Sequence, residues 1–192
     1  MGSKISSEVD KSDPTVLTDR QLEMLMTNTK YTEHEILLWH KGFLNDCPNG
    51  KLNKRKFVQL YCQICPGGHP EKFAEFAFNT FDTDRSGIID FTEFLLAIAV
   101  NRSGTSKEKI EMAFDMYDVD GNGYIDSKEL TKIITAIFEL KGQSKNKRAA
   151  KAEIANMMSK IDVNNDSKIS KEEFIYACIR DDEMRELLAP NV

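Results

Sequence analysis

The chain has 192 residues, 41% of them hydrophobic and 30% charged, with a formal charge of −5. Such a balance supplies apolar mass for one or two packed cores and charge for solvated helix faces, while the acidic excess argues against nucleic-acid binding, which uses a basic surface. No apolar run nears the ~18 residues that cross a bilayer, and the opening MGSKISSEVDKSD has no apolar stretch of the kind that directs secretion, so a cytoplasmic chain is expected.

The first six residues, Met1-Gly2-Ser3-Lys4-Ile5-Ser6, fit the M-G-x-x-x-[ST] pattern for N-myristoylation at Gly2, with an unmodified terminus as the alternative. One acyl chain binds membranes only marginally, at about 10⁴ M⁻¹. Lys4 and Lys11 are offset by Glu8, Asp10 and Asp13, so any attachment is expected to be reversible. Next comes the helix EHEILLWHKGF. Its His34-Glu35 imitates the start of a zinc-protease motif, but the following histidine is His40, about 240° further round the helix rather than on the same face. The helical segment KRKFVQLYCQIC then carries Cys62 and Cys65, with His69 close behind. A zinc site would need a fourth ligand and a redox pair a βαβ setting, so these thiols read as small hydrophobes in a reducing compartment.

From here the chain repeats itself. DTDRSGIIDFTE (82–93), DVDGNGYIDSKE (118–129) and DVNNDSKISKEE (162–173) align without gaps, their starts 36 and 44 residues apart. Each lies between stretches whose apolar residues recur every three or four positions, the period of a helix. NDCPNGKLNKRK (45–56) shares the frame, with Gly50 at position 6 and Leu52 at position 8. Four helix–loop–helix units therefore fill residues 32–180. The expected fold is all-α, with four hands in two paired lobes. Short β ladders should join paired loops, Leu52 opposite Ile89 and Ile125 opposite Ile169. The expected divisions are an acylated segment 1–21, lobes 22–101 and 102–180, and a tail 181–192. NRSGTSK (101–107) reads as the hinge and KGQSKNKRAAK (141–151) as a linker.

The loops carry a specific chemistry. Ca²⁺ takes about six to eight oxygens, and a twelve-residue loop offers them from positions 1, 3 and 5, the carbonyl of 7, position 9 through water, and both oxygens of a Glu at 12. This is the ligand plan of an EF-hand. The loop at 118–129 supplies Asp118, Asp120, Asn122, the Tyr124 carbonyl, Asp126 and Glu129. The loop at 82–93 supplies Asp82, Asp84, Ser86, the Ile88 carbonyl, Asp90 and Glu93. The loop at 162–173 supplies Asp162, Asn164, Asp166, the Lys168 carbonyl, Ser170 and Glu173, but has Ser167 where position 6 requires a positive φ, a cost of about 1 kcal/mol. It should be the weakest of three Ca²⁺ sites, with Mg²⁺ an alternative occupant at rest. The loop at 45–56 has Asn45, Cys47, Pro48 and finally Lys56 in place of the bidentate carboxylate, so it should not bind. Three bound ions would bring the formal charge from −5 to +1.

Three elements together resemble the neuronal calcium sensor group, which includes recoverin, visinin-like proteins, neurocalcin and frequenin. They are D-C-P-x-G (Asp46, Cys47, Pro48, Gly50), E-x-x-x-W-x-x-x-F (Glu35, Trp39, Phe43) and FDMYDVDGNGYI. The likeness spans about residues 22–180. It implies a myristoylated Ca²⁺ sensor, not an enzyme, that acts on a cyclase, kinase, receptor or channel and reversibly meets the membrane. It also assigns Trp39, Phe43, Phe57, Tyr61 and Phe94 to a groove for a partner helix. A Ca²⁺ buffer and a tightly bound regulatory subunit of the phosphatase B-chain type are the alternatives. The chain departs from the group in a longer N-terminal segment, a shorter 141–151 linker, Ser167 in place of glycine, and Cys65 where a bulky aromatic is usual. The tail DDEMRELLAPNV can form a short amphipathic helix (Met184, Leu187, Leu188) that covers the groove or packs on the last lobe. Lys141, Lys145, Lys147, Arg148 and Lys151 form a basic cluster, read as a solvated linker or a contact for acidic lipids or partners.

Overall fold

Helix starts are written locally, as a Ser, Thr or Asp followed three residues later by Glu or Gln. Such a pair closes a capping box, in which each side chain accepts from the other residue's backbone N–H. In a computed structural model that describes residues 13–64, 68–142 and 147–189, this device opens α1 (Asp19–Asn28), α2 (Glu33–Asp46), α5 (Phe91–Ser103), α6 (Ser106–Tyr117), α7 (Ser127–Leu140) and α9 (Lys171–Arg180). The other helices are α3 (Lys54–Ile64), α4 (Glu71–Phe81), α8 (Lys147–Ile161) and α10 (Asp182–Leu188). Gly2, Cys65 and Lys145 lie outside the described residues.

The paired loops meet as expected. β1 (Leu52–Asn53) lies antiparallel to β2 (Ile88–Ile89) with Leu52 opposite Ile89. β3 (Tyr124–Asp126) lies against β4 (Lys168–Ser170) with Ile125 opposite Ile169. These four residues occupy position 8 of their loops and are at most 2% exposed. Each ladder is thus pinned by apolar side chains pointing into a core, which fixes register because a one-residue slip would turn them out to water. One core gathers Leu25, Ile36, Phe43, Phe57, Phe78 and Leu95 around the first ladder, and the other gathers Phe114, Tyr117, Ile133, Phe174 and Cys178 around the second. They touch: Met116 packs against both, and Phe73 and Phe76 of α4 lean on the second. A polar clasp lies alongside, where His69 N donates to the Glu139 carbonyl (2.8 Å) and Lys72 Nζ meets Glu139 Oε1 (2.8 Å).

Several boundaries differ from the sequence reading. α1 precedes the four-hand repeat and begins at Asp19, inside the segment assigned to 1–21, because Thr18 and Gln21 cap it. α5 runs through the expected 101/102 boundary to Ser103, so the hinge shrinks to Gly104 and Thr105, the latter capping α6. The linker shortens as well, since residues from Lys147 onward belong to α8. The tail forms α10 and packs on the second core, where Met184 and Leu188 are buried and the Tyr117 hydroxyl donates to the Leu188 carbonyl (2.6 Å).

Candidate metal sites

Positions 9 and 12 of each acidic loop are also the N-cap and N3 residues of the helix that follows. In the loop at 118–129, Asp126 Oδ1 accepts from Glu129 N (2.8 Å) while Glu129 Oε2 accepts from Asp126 N (3.0 Å). The other oxygen, Glu129 Oε1, accepts from Val119 N (2.9 Å) and Asp120 N (3.2 Å), which brings the position-12 carboxylate back over the start of its own loop. Asp118 takes Asn122 N (3.0 Å) on one oxygen and Gly123 N (2.9 Å) on the other. The sharp turn that points those N–H groups inward uses φ +86° at Gly123, a left-handed value favoured by residues without Cβ. Oxygens of Asp118, Asp120 and Glu129 then lie within 4.8 Å of one another.

The loop at 82–93 repeats the plan. Asp82 accepts from Ser86 N and Gly87 N, both at 2.9 Å. Glu93 accepts from Thr83 N (2.9 Å), Thr83 Oγ1 (2.9 Å) and Asp90 N (3.1 Å). Its three-carboxylate cluster is Asp82, Asp84 and Glu93. The Ser86 hydroxyl donates to the Ile88 carbonyl (2.9 Å), so two sequence-assigned ligand groups are already in contact. Hydrogen bonds from Ser86, hydroxyl first and N–H second, hold the Asp84 carboxyl below its usual range.

In the loop at 162–173, Asp162 accepts from Asp166 N (3.2 Å) and Ser167 N (2.9 Å), and Glu173 from Val163 N (3.1 Å) and Ser170 N (2.9 Å). Asp166 Oδ1 accepts from Lys168 N (2.9 Å). Ser167 adopts φ +67°, the strained value expected at position 6. Burial works against ionisation of Glu173, yet bonds from Ser170, Asn164 and Val163 outweigh it and lower its pKa. Position 3 is the amide of Asn164, whose Oδ1 accepts from Asp166 N (2.9 Å), where the other two loops have a carboxylate.

The loop at 45–56 retains half of the scheme. Lys56 N donates to Asn53 Oδ1 (3.0 Å), so position 9 still caps the exiting helix, but position 12 returns no carboxylate. Position 4 is left-handed in the other loops (Arg85 +56°, Gly121 +69°, Asn165 +59°). Pro48 holds that position here, and its ring fixes φ at about −65°. The loop has a neighbour instead: a Cβ on Gly50 would run into the Pro14 carbonyl of the N-terminal segment.

The donor sets of the three acidic loops fit a hard divalent cation. Asp82 and Glu129, 7% and 6% exposed, are the buried charged side chains among the described residues. Backbone N–H groups donate to both, and the Ser86 hydroxyl also lies 3.4 Å from Asp82 Oδ1, so each buried carboxylate has the hydrogen bonds its burial demands. All-oxygen donors converging from a flexible loop suit Ca²⁺.

Between the two cores lies an apolar cavity of about 640 Å³, within the roughly 300–1,000 Å³ usual for ligand pockets. Of the five residues that the resemblance assigns to a groove, Phe57, Tyr61 and Phe94 line this cavity. Trp39 and Phe43 do not, because they pack beside it: Trp39 sits 6.2 Å from Phe94 with the Arg102 guanidinium 5.4 Å over its ring, and Phe43 is 5.2 Å from Phe94. Met112, Met116, Ile137 and Leu188 from the second half complete the walls. The sequence signal for the two methionines is their pairing in IEMAFDMY, since methionine is over-used on adaptable apolar surfaces. The tail therefore packs on the second core and also lines the cavity, through Leu188 and Ala189.

A family model for an EF-hand domain pair matches residues 107–179, and a second EF-hand domain-pair model matches 71–99. Neuronal calcium sensor 1 of Lymnaea stagnalis is 42% identical over 163 residues, covering 83% of this chain and 85% of the relative. Neuronal calcium sensor 1 of Aplysia californica is 43% identical with the same coverage. S-modulin of Aquarana catesbeiana is 35% identical over 178 residues, covering 90% of this chain and 88% of its own.

Proposed function

The chain belongs to the neuronal calcium sensor family, and from that premise we propose that it is a Ca²⁺ sensor with three working loops that regulates a membrane-associated target. Bound Ca²⁺ supplies positive charge among the carboxylates. Residues of the chain do the rest: Glu93, Glu129 and Glu173, each the N3 residue of its helix, carry any change at the loop into the first turn of α5, α7 or α9. Phe94 of α5 and Ile137 of α7 line the apolar cavity, so movement of those helices alters its mouth. An amphipathic helix of a cyclase, kinase, receptor or channel is the proposed occupant, and myristoylated Gly2 the proposed route to the membrane. The single observation that carries this reading is the enclosed carboxylate pair Asp82 and Glu129, each on a loop whose exiting helix lines that cavity.

The test combines two readouts on full-length, acylated protein. Ca²⁺ should raise the fluorescence of an apolar dye and shift the emission of Trp39, and it should increase the fraction bound to phosphatidylcholine/phosphatidylserine vesicles. Ca²⁺ uptake without either change would mean a buffer instead.

A further inference from the structure

The β ladders link the loops within each pair, 45–56 with 82–93 and 118–129 with 162–173. A different contact joins the pairs. Arg85, at position 4 of the loop 82–93, extends its side chain to the loop 118–129, and its Nη1 donates to the Asp120 carbonyl at 3.1 Å. The next residue, Gly121, is position 4 of that second loop, and a Cβ there would run into Arg85 Nη2. The guanidinium thus rests against a backbone that only glycine leaves bare. Both residues are left-handed, Arg85 at φ +56° and Gly121 at φ +69°.

Position gives this contact its meaning. Arg85 stands between the sequence-assigned ligands Asp84 and Ser86, and the peptide it holds stands between Asp120 and Asn122. The Asp120 carbonyl is not one of the ligand atoms, since the loop's backbone ligand comes from position 7. The bond therefore fixes ligand-bearing backbone in both loops without using a ligand atom in either.

We propose that Arg85 is a positioning residue that couples the loops 82–93 and 118–129 across the two pairs. Ordering of Asp84 and Ser86 by an ion orders the backbone of Arg85. Its guanidinium then holds the Asp120–Gly121 peptide, so the second loop loses less freedom when it fills, which is cooperativity through pre-ordering. The guanidinium charge opposes the second ion, but the contact is exposed and screened by salt. The expected net coupling is favourable and about fivefold, the lower end of the usual range, and by linkage it is the same in both directions. The inference rests on the reading that both loops take Ca²⁺.

A thermodynamic cycle on the full chain tests it, with Glu173→Gln silencing the loop 162–173. Tb³⁺ luminescence sensitised by Tyr124, whose carbonyl belongs to the loop 118–129, reports filling of that loop, and Ca²⁺ competition gives its affinity. Glu93→Gln, which disables the loop 82–93, should weaken Ca²⁺ at 118–129 about fivefold while Arg85 is present. In Arg85→Asn that effect should fall below about twofold. Asparagine tolerates the left-handed backbone, as Asn165 does at the same position of its own loop with φ +59°. Gly121→Asn, which displaces the guanidinium from the other side, should do the same. An effect of Glu93→Gln that is missing with Arg85 present, or that persists undiminished in both variants, would overturn the coupling. So would a change in affinity at 118–129 on Arg85→Asn that is equal with and without Glu93→Gln, because that marks a purely local role. Absence of any Tb³⁺ or Ca²⁺ signal at 118–129 would instead remove the functional reading itself.

Discussion

Replacing Glu129 by glutamine turns one oxygen of a carboxylate that is 6% exposed into an NH₂ group. In the native chain Oε1 accepts from Val119 N and Asp120 N, and Oε2 from Asp126 N. An amide accepts on one side only. If it keeps Val119 and Asp120, its NH₂ faces the Asp126 N–H, and one charge-assisted hydrogen bond, worth about 1.5–3 kcal/mol, is lost. A protein of this size loses about 2–4 °C of Tm per kcal/mol, so the metal-free variant should melt about 3–12 °C lower in EDTA. With metal, the loop lacks one oxygen donor and one charge. Binding at 118–129 should weaken about 100-fold or more, equivalent to about 2.8 kcal/mol, and titration calorimetry should count one Ca²⁺ fewer. Glu93→Gln should give a smaller drop in EDTA, because Glu93 is only half-buried. An unchanged Tm of the Glu129 variant in EDTA would refute the reasoning, since it would mean that this carboxylate does not hold its loop closed in the absence of metal.

Ser167→Gly relieves the left-handed strain at φ +67°, about 1 kcal/mol, and should tighten Ca²⁺ at 162–173 about fivefold by calorimetry. Unchanged affinity would mean that the loop carries the same strain with and without its ion. Tyr117→Phe leaves the buried Leu188 carbonyl without the hydroxyl that donates to it. The expected loss is about 1–3 kcal/mol, read from the urea midpoint, with faster proteolytic removal of α10. Burial pushes the Cys178 thiol up to about 12 from 9.0. The folded thiol stays protonated while the unfolded one ionises, so its contribution is complete below pH 9.0 and declines between there and about 12, by up to about 1.4 kcal/mol per pH unit. Urea unfolding across that range should show a shallower decline for Cys178→Ser.

The parts of this molecule that the sequence makes readable are those encoded by short spacing. Oxygen-bearing residues at fixed offsets located the acidic loops, and position-8 residues such as Leu52 and Ile125 located the ladders and their register. The same local grammar reads the capping boxes, and also the one-sided Asn53 cap of the loop at 45–56. Features set by packing between distant segments were not readable. The resemblance assigns Trp39 and Phe43 to a groove, but both pack against Phe94 beside the cavity, and the Arg102 guanidinium lies over the Trp39 ring. The walls contributed by Met112 and Ile137 depend on how the two cores meet, and no spacing within either half records that. Arg85 is the sharpest case. Loop position 4 carries no ligand, and its meaning appears only when Gly121, 36 residues later, is brought against it.

A carboxylate that both caps a helix start and reaches over its loop also sets a tempo. Because Glu93, Glu129 and Glu173 each belong at once to a loop and to the first turn of a helix, an ion held by the loop would detain that turn for as long as it stays. Differences among the loops would then be expressed chiefly in how long each retains its ion. The duration of a calcium pulse, as much as its height, would then decide how many loops are filled at once.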